Sequence, residues 1–414
     1  MKKKIIIIIL IIILILVAIY GLLKIFSKGE ENIDITSTFF PEILSNFIKN
    51  ENSTNQENNF DTSSNVTTSQ QKSSFYKIED HNVSDISLLE TIPSEAQNAS
   101  TTSETDLRTG QPYLVTADKK TGNLFLYNLT NRNLTRLSNT TIQNITDIFL
   151  SNTNESAFVY IKSLENNNKK LYSYLVDLEN YKENSSAFKM SSLNTILASQ
   201  RDKIFTEQEA SDIYRSDFDL SNPRLILKDQ KLNWDLHPAN NSIFINQKPS
   251  SLKETSVYVI QNSSQLKKII ANKKALQINP SSDGNYIIYS SLEDSLVKLY
   301  LYNNSTQSST LIPLNTVPEK CTWALNQNTF YCVETSTLIR EGDYPERWYK
   351  GSISFQDTRI VGIEADNVSQ FNLTAPFVDQ KNIDAAKVKI SENSEYFIIK
   401  NKIDDTVWIM ELTP

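Results

Sequence analysis

The chain has 414 residues, room for roughly two or three average domains or one large one. It carries 48 acidic against 41 basic residues for a net charge of −7, with 8 glycines, 2 cysteines, 2 histidines and 43 asparagines. That composition excludes a collagen, a disulfide-dense miniprotein and a basic nucleic-acid binder.

Lys2, Lys3 and Lys4 precede an uncharged, Ile-rich run from Ile5 to Leu23. A helix of about 20 apolar residues spans a bilayer and satisfies its own backbone there. The run exceeds the apolar core of a cleaved signal peptide, about 7–15 residues, and lacks a small-residue cleavage site. Residues 1–28 therefore read as an uncleaved single-pass anchor. The leading lysines place the N-terminus in the cytoplasm, and the acidic remainder reads as extracytoplasmic. Residues 29–85 read as a stalk. Within it, Asn50 to Ser74 is nearly all Asn, Ser, Thr, Gln and Glu, too polar to offset the entropy of ordering, and predicts a flexible spacer.

Residues 86–414 read as an all-β domain. Short alternating strands rich in Tyr, Phe, Ile and Val are punctuated by turns. One unit recurs: a strand, a polar turn, a strongly apolar strand, a Tyr-bearing strand and a short edge strand. The clearest copy is Ile278-Asn-Pro-Ser-Ser-Asp283-Gly284-Asn-Tyr-Ile-Ile-Tyr289, followed by Lys298-Leu-Tyr-Leu-Tyr-Asn303. Anchoring on the second strand gives Leu114, Phe158, Phe205, Phe244, Ile287, Phe330 and Phe397, at steps of 44, 47, 39, 43, 43 and 67. A four-stranded unit repeating about every 40–45 residues builds a propeller blade. The expectation is a seven-bladed β-propeller. A count of six follows if the weak unit 195–228 is misread, and eight is the remaining alternative. The last unit lacks an outer strand. Ser87-Leu-Leu-Glu-Thr-Ile92 is predicted to supply it and close the ring, with the inner strand of the first blade at about 95–105.

The Pro280–Tyr289 stretch resembles the S-P-D-G repeat of TolB-type, WD-like propellers, with the Ser-Pro order altered. Asp118-Lys-Lys-Thr-Gly122-Asn-Leu-Phe-Leu-Tyr127 is similar to the D-x-x-T-G turn of the same proteins. Over nearly its full length the chain resembles single-pass membrane propellers of candidate-phyla bacteria. The stretches that carry this are Arg136–Ile142, Pro318–Trp323 and Tyr344–Phe355. The resemblance implies a membrane-anchored bacterial propeller and brings no activity with it.

Cys321 and Cys332 bracket one hairpin with Asn326-Gln327 at its turn, so they face each other and predict a disulfide. The long step of 67 marks an insertion in blade six, roughly Glu334 to Lys350. Its Arg340, Glu341, Asp343, Tyr344, Arg347, Trp348 and Tyr349 form a candidate binding loop, since long loops on rigid scaffolds carry binding residues and aromatics with Arg anchor interfaces. Trp348 is the member most expected to pack on its own propeller.

No G-x-S-x-G, H-E-x-x-H or phosphate-binding glycine loop occurs. His81 falls at the stalk border and His237 in a turn. No cofactor or metal is expected. The chain thus reads as a membrane-anchored scaffold that binds a protein or an envelope polymer and catalyses nothing. The alternatives are a structural or assembly subunit of an envelope complex, and a hydrolase that uses carboxylates in the central channel.

Overall fold

The computed structural model describes residues 75–412 apart from 79–80, 90–111, 138–140, 153–156, 166–169, 178–187, 192–194, 201–202, 208–211, 218–219, 229–233, 240–241, 261–264, 326–327 and 373–381. For 151–152, 157–158, 164–204 and 207 it describes the backbone alone. The predicted anchor Ile5–Leu23 and the spacer lie outside the described residues. Among the described residues no helix is long and apolar enough to cross a membrane.

Among the described residues the strands form seven antiparallel four-stranded sheets. The last sheet takes its outer strand from β1 (Phe75–Lys77). The first sheet runs β2 (Val83–Leu89), β3 (Tyr113–Asp118), β4 (Leu124–Asn128) and β5 (Leu134–Arg136), each paired with the next. Five further sheets repeat that order. The last contains β26 (Ala385–Ile390), β27 (Tyr396–Asn401) and β28 (Val407–Glu411), with β1 added outside β28. All seven predicted anchors fall on the second strand of their sheets. The reason is local: a β-strand turns alternate side chains to opposite faces, and a sheet packed on both faces needs its most apolar strand inside.

Among the described residues, separate apolar cores fill six of the gaps between successive sheets. Val115, Leu126, Ile148 and Val159 join the first to the second. Phe205, Ile213, Leu236 and Ile245 join the third to the fourth. Phe244, Val257, Ile287 and Tyr289 join the fourth to the fifth. Ile288, Leu299, Phe330 and Val361 continue to the sixth, and Tyr331, Val333, Val388 and Phe397 to the seventh. Ile86 and Leu114 of the first sheet pack on Ile398 and Ile409 of the last. The arrangement is a β-propeller.

The repeat is visible at the level of single atoms. In the fifth sheet Ser281 donates its amide to Tyr286 O at 2.8 Å, accepts the Tyr286 amide on Oγ at 3.0 Å and bonds Asp283. In the seventh, Ser391 does the same with Tyr396, at 2.9 and 2.9 Å, and with Asn393. The left-handed position that Gly284 fills with φ 76° is filled by Ser394 with φ 58°. Gly122, in the D-x-x-T-G turn, has φ 67°, and a Cβ there would lie 1.7 Å from Ile142 O. Asparagine contributes less through left-handed backbone than its abundance implies. Of the twelve non-glycine residues with positive φ among the described residues, three are Asn (Asn144, Asn222 and Asn272).

The closure differs from expectation. Ser87–Ile92 does not close the last sheet, because Val83–Leu89 is the innermost strand of the first, paired in register with Tyr113–Asp118. The segment near 95–105 lies outside the described residues and is not needed as that strand. Phe75–Lys77 closes the last sheet, with Phe75 opposite Met410 and Lys77 opposite Trp408. Phe75 stacks on Trp408 at 5.1 Å, and Arg132 lies 4.1 Å over the Tyr76 ring while pairing with Glu411 at 2.7 Å. This aromatic patch outweighs the longer Ser87 run, which is committed to the channel side. The compact unit accordingly begins at Gln70, and a propeller boundary at 86 is too late. His81 is no stalk residue: it is buried, bonds Thr116 at 2.7 Å and meets the edge of Phe125.

Candidate binding face

The strand order gives the propeller two distinct faces. On the upper face lie the turns between second and third strands and the links from one sheet to the next. On the lower face lie the other turns. The chain enters at the lower face: Phe75 pairs with Met410 near the lower end of β28, whereas Ile78 meets Val407 at its upper end.

The insertion rises from the upper face of the sixth sheet. This sheet contains β22 (Cys321–Trp323), β23 (Thr329–Thr335) and β24 (Asp357–Glu364), and residues 336–356 join the last two. Cys321 and Cys332 are opposed across the first two strands, 4.1 Å apart at Cα, and joined by the predicted disulfide. One helical turn, α1 (Glu346–Tyr349), follows Pro345. Its apolar side joins a core of Ala275, Val297, Val317, Ile339, Tyr344, Trp348 and Phe355.

Polar contacts fix the insertion to four sheets. Glu346 Oε1 accepts Ser250 Oγ at 2.9 Å and the Ser251 amide at 2.8 Å in the fourth. Val297 donates its amide to Ile339 O at 2.9 Å, and Glu341 to Ser295 O at 3.0 Å, in the fifth. Within the sixth, Tyr344 donates to both oxygens of Glu319 at 2.8 and 2.9 Å, and Tyr349 donates to Oε1. In the seventh, Trp348 Nε1 donates to Asp384, and Lys402 donates to the Trp348 carbonyl with its ammonium 4.2 Å over the indole.

These contacts set the charge states. Burial pushes Glu319 upward against the two phenols, and the nearby Asp235 carboxyl adds to the rise. Burial likewise raises Asp235 and lowers Lys402 to about 8, the latter opposed by Asp384. Burial and the adjoining Glu319 hold the Tyr344 and Tyr349 phenols well above their ordinary value.

The candidate loop residues divide into two groups. Tyr344 and Trp348 are buried, 0% and 3% exposed, so they fasten the loop and cannot meet a partner. This corrects the expectation for Tyr344: its neighbours are the aromatic cluster and Glu319. Arg340, Glu341 and Arg347 are exposed, and Tyr349 is half exposed. Asp343 pairs with Arg347 at 2.7 Å and steadies the tip. Sequence reasoning missed Glu319, Lys320, Asp357, Asp384 and Lys402. Their signal was weak, being single charges beside strand ends with partners 25 to 64 residues away. Among the described residues no group of His, Cys, Asp and Glu could hold a metal ion.

No protein-family model matches this chain, and no curated protein sequence matches it. Solved structures do. One is YCF48 bound to D1 peptide, with 9% identity, 83% of this chain and 97% of that one covered, and a TM-score of 0.49. A second is an oligogalacturonate lyase from Vibrio parahaemolyticus, with 11% identity, coverages of 83% and 99%, and a TM-score of 0.47. A third is TolB from Acinetobacter baumannii, with 11% identity, coverages of 73% and 76%, and a TM-score of 0.39. WD40 propellers are similar at the same level. The fold rests on this chain's own sheets, and no residue role is carried over from these structures.

Proposed function

We propose that this chain is a membrane-anchored, extracytoplasmic scaffold whose seven sheets are the blades of one ring and whose upper face binds a protein or envelope polymer. The observation that carries the reading is the opposition of the two ends. Phe75, the first described residue, lies at the lower face, while the strapped insertion offers Arg340, Glu341, Arg347 and Tyr349 on the upper one. The disulfide fits an oxidising compartment. A catalytic role is not favoured: Glu319, the half-buried acid beside Asp235, has both oxygens occupied by phenols.

The test is photo-crosslinking of the full chain in membranes. A photoreactive residue at Arg347 or Tyr349 is expected to capture a discrete envelope component, and one at Glu392 on the lower face is not. Capture from Glu392 alone, or equal capture from both faces, overturns the reading.

A further inference from the structure

Lys320 ends the short 3-10 turn at Pro318–Lys320, where the chain bends into β22. Its side chain is fully buried, as are those of Asp357 at the start of β24 and Asp384 just before β26. The ammonium Nζ lies 2.5 Å from Asp357 Oδ1 and 2.7 Å from Asp384 Oδ1. The rings of Trp348 and Phe355 flank it at 5.9 and 5.7 Å. An ion pair sealed in this way gains little for stability, because desolvating the charges cancels much of their attraction.

The two acids differ in their surroundings. Asp384 accepts Trp348 Nε1 at 3.2 and 3.0 Å and the Phe355 amide at 3.1 Å, so its charge is well supported. Asp357 has the Ala385 amide at 2.6 Å as a further donor. Burial raises its carboxyl to about 6, against the lowering effect of Lys320. Asp357 is thus the carboxyl that burial disposes to accept a proton, and Asp384 touches the same ammonium. An amine and a carboxylic acid in contact, with a base beside them and bulk water excluded, is the arrangement that amide condensation needs.

We propose that Lys320 and Asp357 form a covalent cross-link, an isopeptide bond between Nζ and Cγ, with Asp384 as the proton carrier. One ammonium proton passes to Asp357, leaving a neutral amine against a carboxylic acid. The Nζ lone pair bonds to Cγ. Asp384 removes a second proton from nitrogen and returns it to the departing hydroxyl, which leaves as water. One N–C bond replaces one C–O bond, the site keeps its single net negative charge, and nothing is oxidised or reduced. The aromatic lid shields the reacting groups from bulk water. The product ties the start of the first strand of the sixth sheet to the start of its third. It sits beside the Cys321–Cys332 link between the first and second strands.

Mass spectrometry of the purified full chain after reduction decides the matter. The expected chain is one water lighter than its sequence, and its tryptic digest contains a joined peptide holding Lys320 and Asp357. Lys320→Arg, which keeps a buried cation, and Asp357→Ala are expected at full mass. Asp384→Asn is expected at full mass with its circular dichroism unchanged. A wild-type chain at full mass with linear peptides overturns the cross-link. A joined peptide ending on Asp384 overturns the choice of Asp357, and an Asp384→Asn chain that still loses water overturns the role of Asp384.

Discussion

The two faces of the propeller are held together by different means. On the lower face a few cross-sheet ties, such as Arg132 to Glu411 and Tyr286 to Asp366, stand beside turns that close on themselves. Asn303 Oδ1 accepts the amides of Ser305 and Thr306 at 3.0 and 3.1 Å, and Asn128 Oδ1 those of Thr130 and Asn131 at 2.9 and 3.0 Å. On the upper face the insertion is held by groups far apart in sequence: Ser250 to Glu346 across 96 residues, and Lys402 to Trp348 across 54. A self-contained turn can be lost with local consequences. A strap that joins four sheets couples them, so its loss is felt throughout.

The strongest way to break this comparison concerns the closing strand, which is the longest-range element of all. A chain beginning at residue 111 lacks both β1 and β2, so the last sheet keeps an open edge and the first loses its inner strand. It is expected to lose cooperative thermal unfolding, whereas a chain beginning at Gln70 keeps it. A cooperative melt from the shorter chain would show that closure is dispensable.

A middle-sized effect separates the faces directly. Trp348→Ala opens the aromatic cluster and leaves Asp384 short of a donor, for an expected cost of about 3–5 kcal/mol. Asn303→Ala removes one exposed turn acceptor, for about 1 kcal/mol. Urea unfolding of the two variants measures both, and equal losses would erase the distinction.

The smallest effect is in pH. His237 Nε2 lies 3.1 Å from Asn246 Oδ1, and the surrounding protein lowers its pKa to about 4, against 6.5 when unfolded. As pH falls below 6.5 the unfolded chain takes up the proton first. The stability linked to this group is therefore complete above pH 6.5 and is lost as pH falls toward about 4. His237→Gln is expected to flatten that part of the midpoint-against-pH curve. A slope unchanged by the substitution would assign it to other groups.

Much of the propeller was legible because its signals are short-range. The alternation that marks Phe244 or Ile287 as second-strand residues spans a few positions, and hairpin opposition alone places Cys321 against Cys332. The closing strand was not legible: Phe75-Tyr76-Lys77 is three residues at the end of a polar stretch, and only Trp408 and Glu411, more than 300 positions away, give it a place. The candidate loop was visible as a break in the period, but not the direction in which its side chains point. Tyr344 and Tyr349 look alike in sequence, yet one is fully buried and the other half exposed.

Local residue order by itself determined the strand repeat, the turns of Ser281 and Ser391 and the disulfide, because each follows from residues within one hairpin or one unit. Tertiary structure alone decided which N-terminal strand closes the ring and which face lies opposite the chain's point of attachment. It alone surrounded Lys320 with carboxylates 37 and 64 residues away. Burial and cross-sheet contact depend on where the whole chain goes, and no local pattern carries that information.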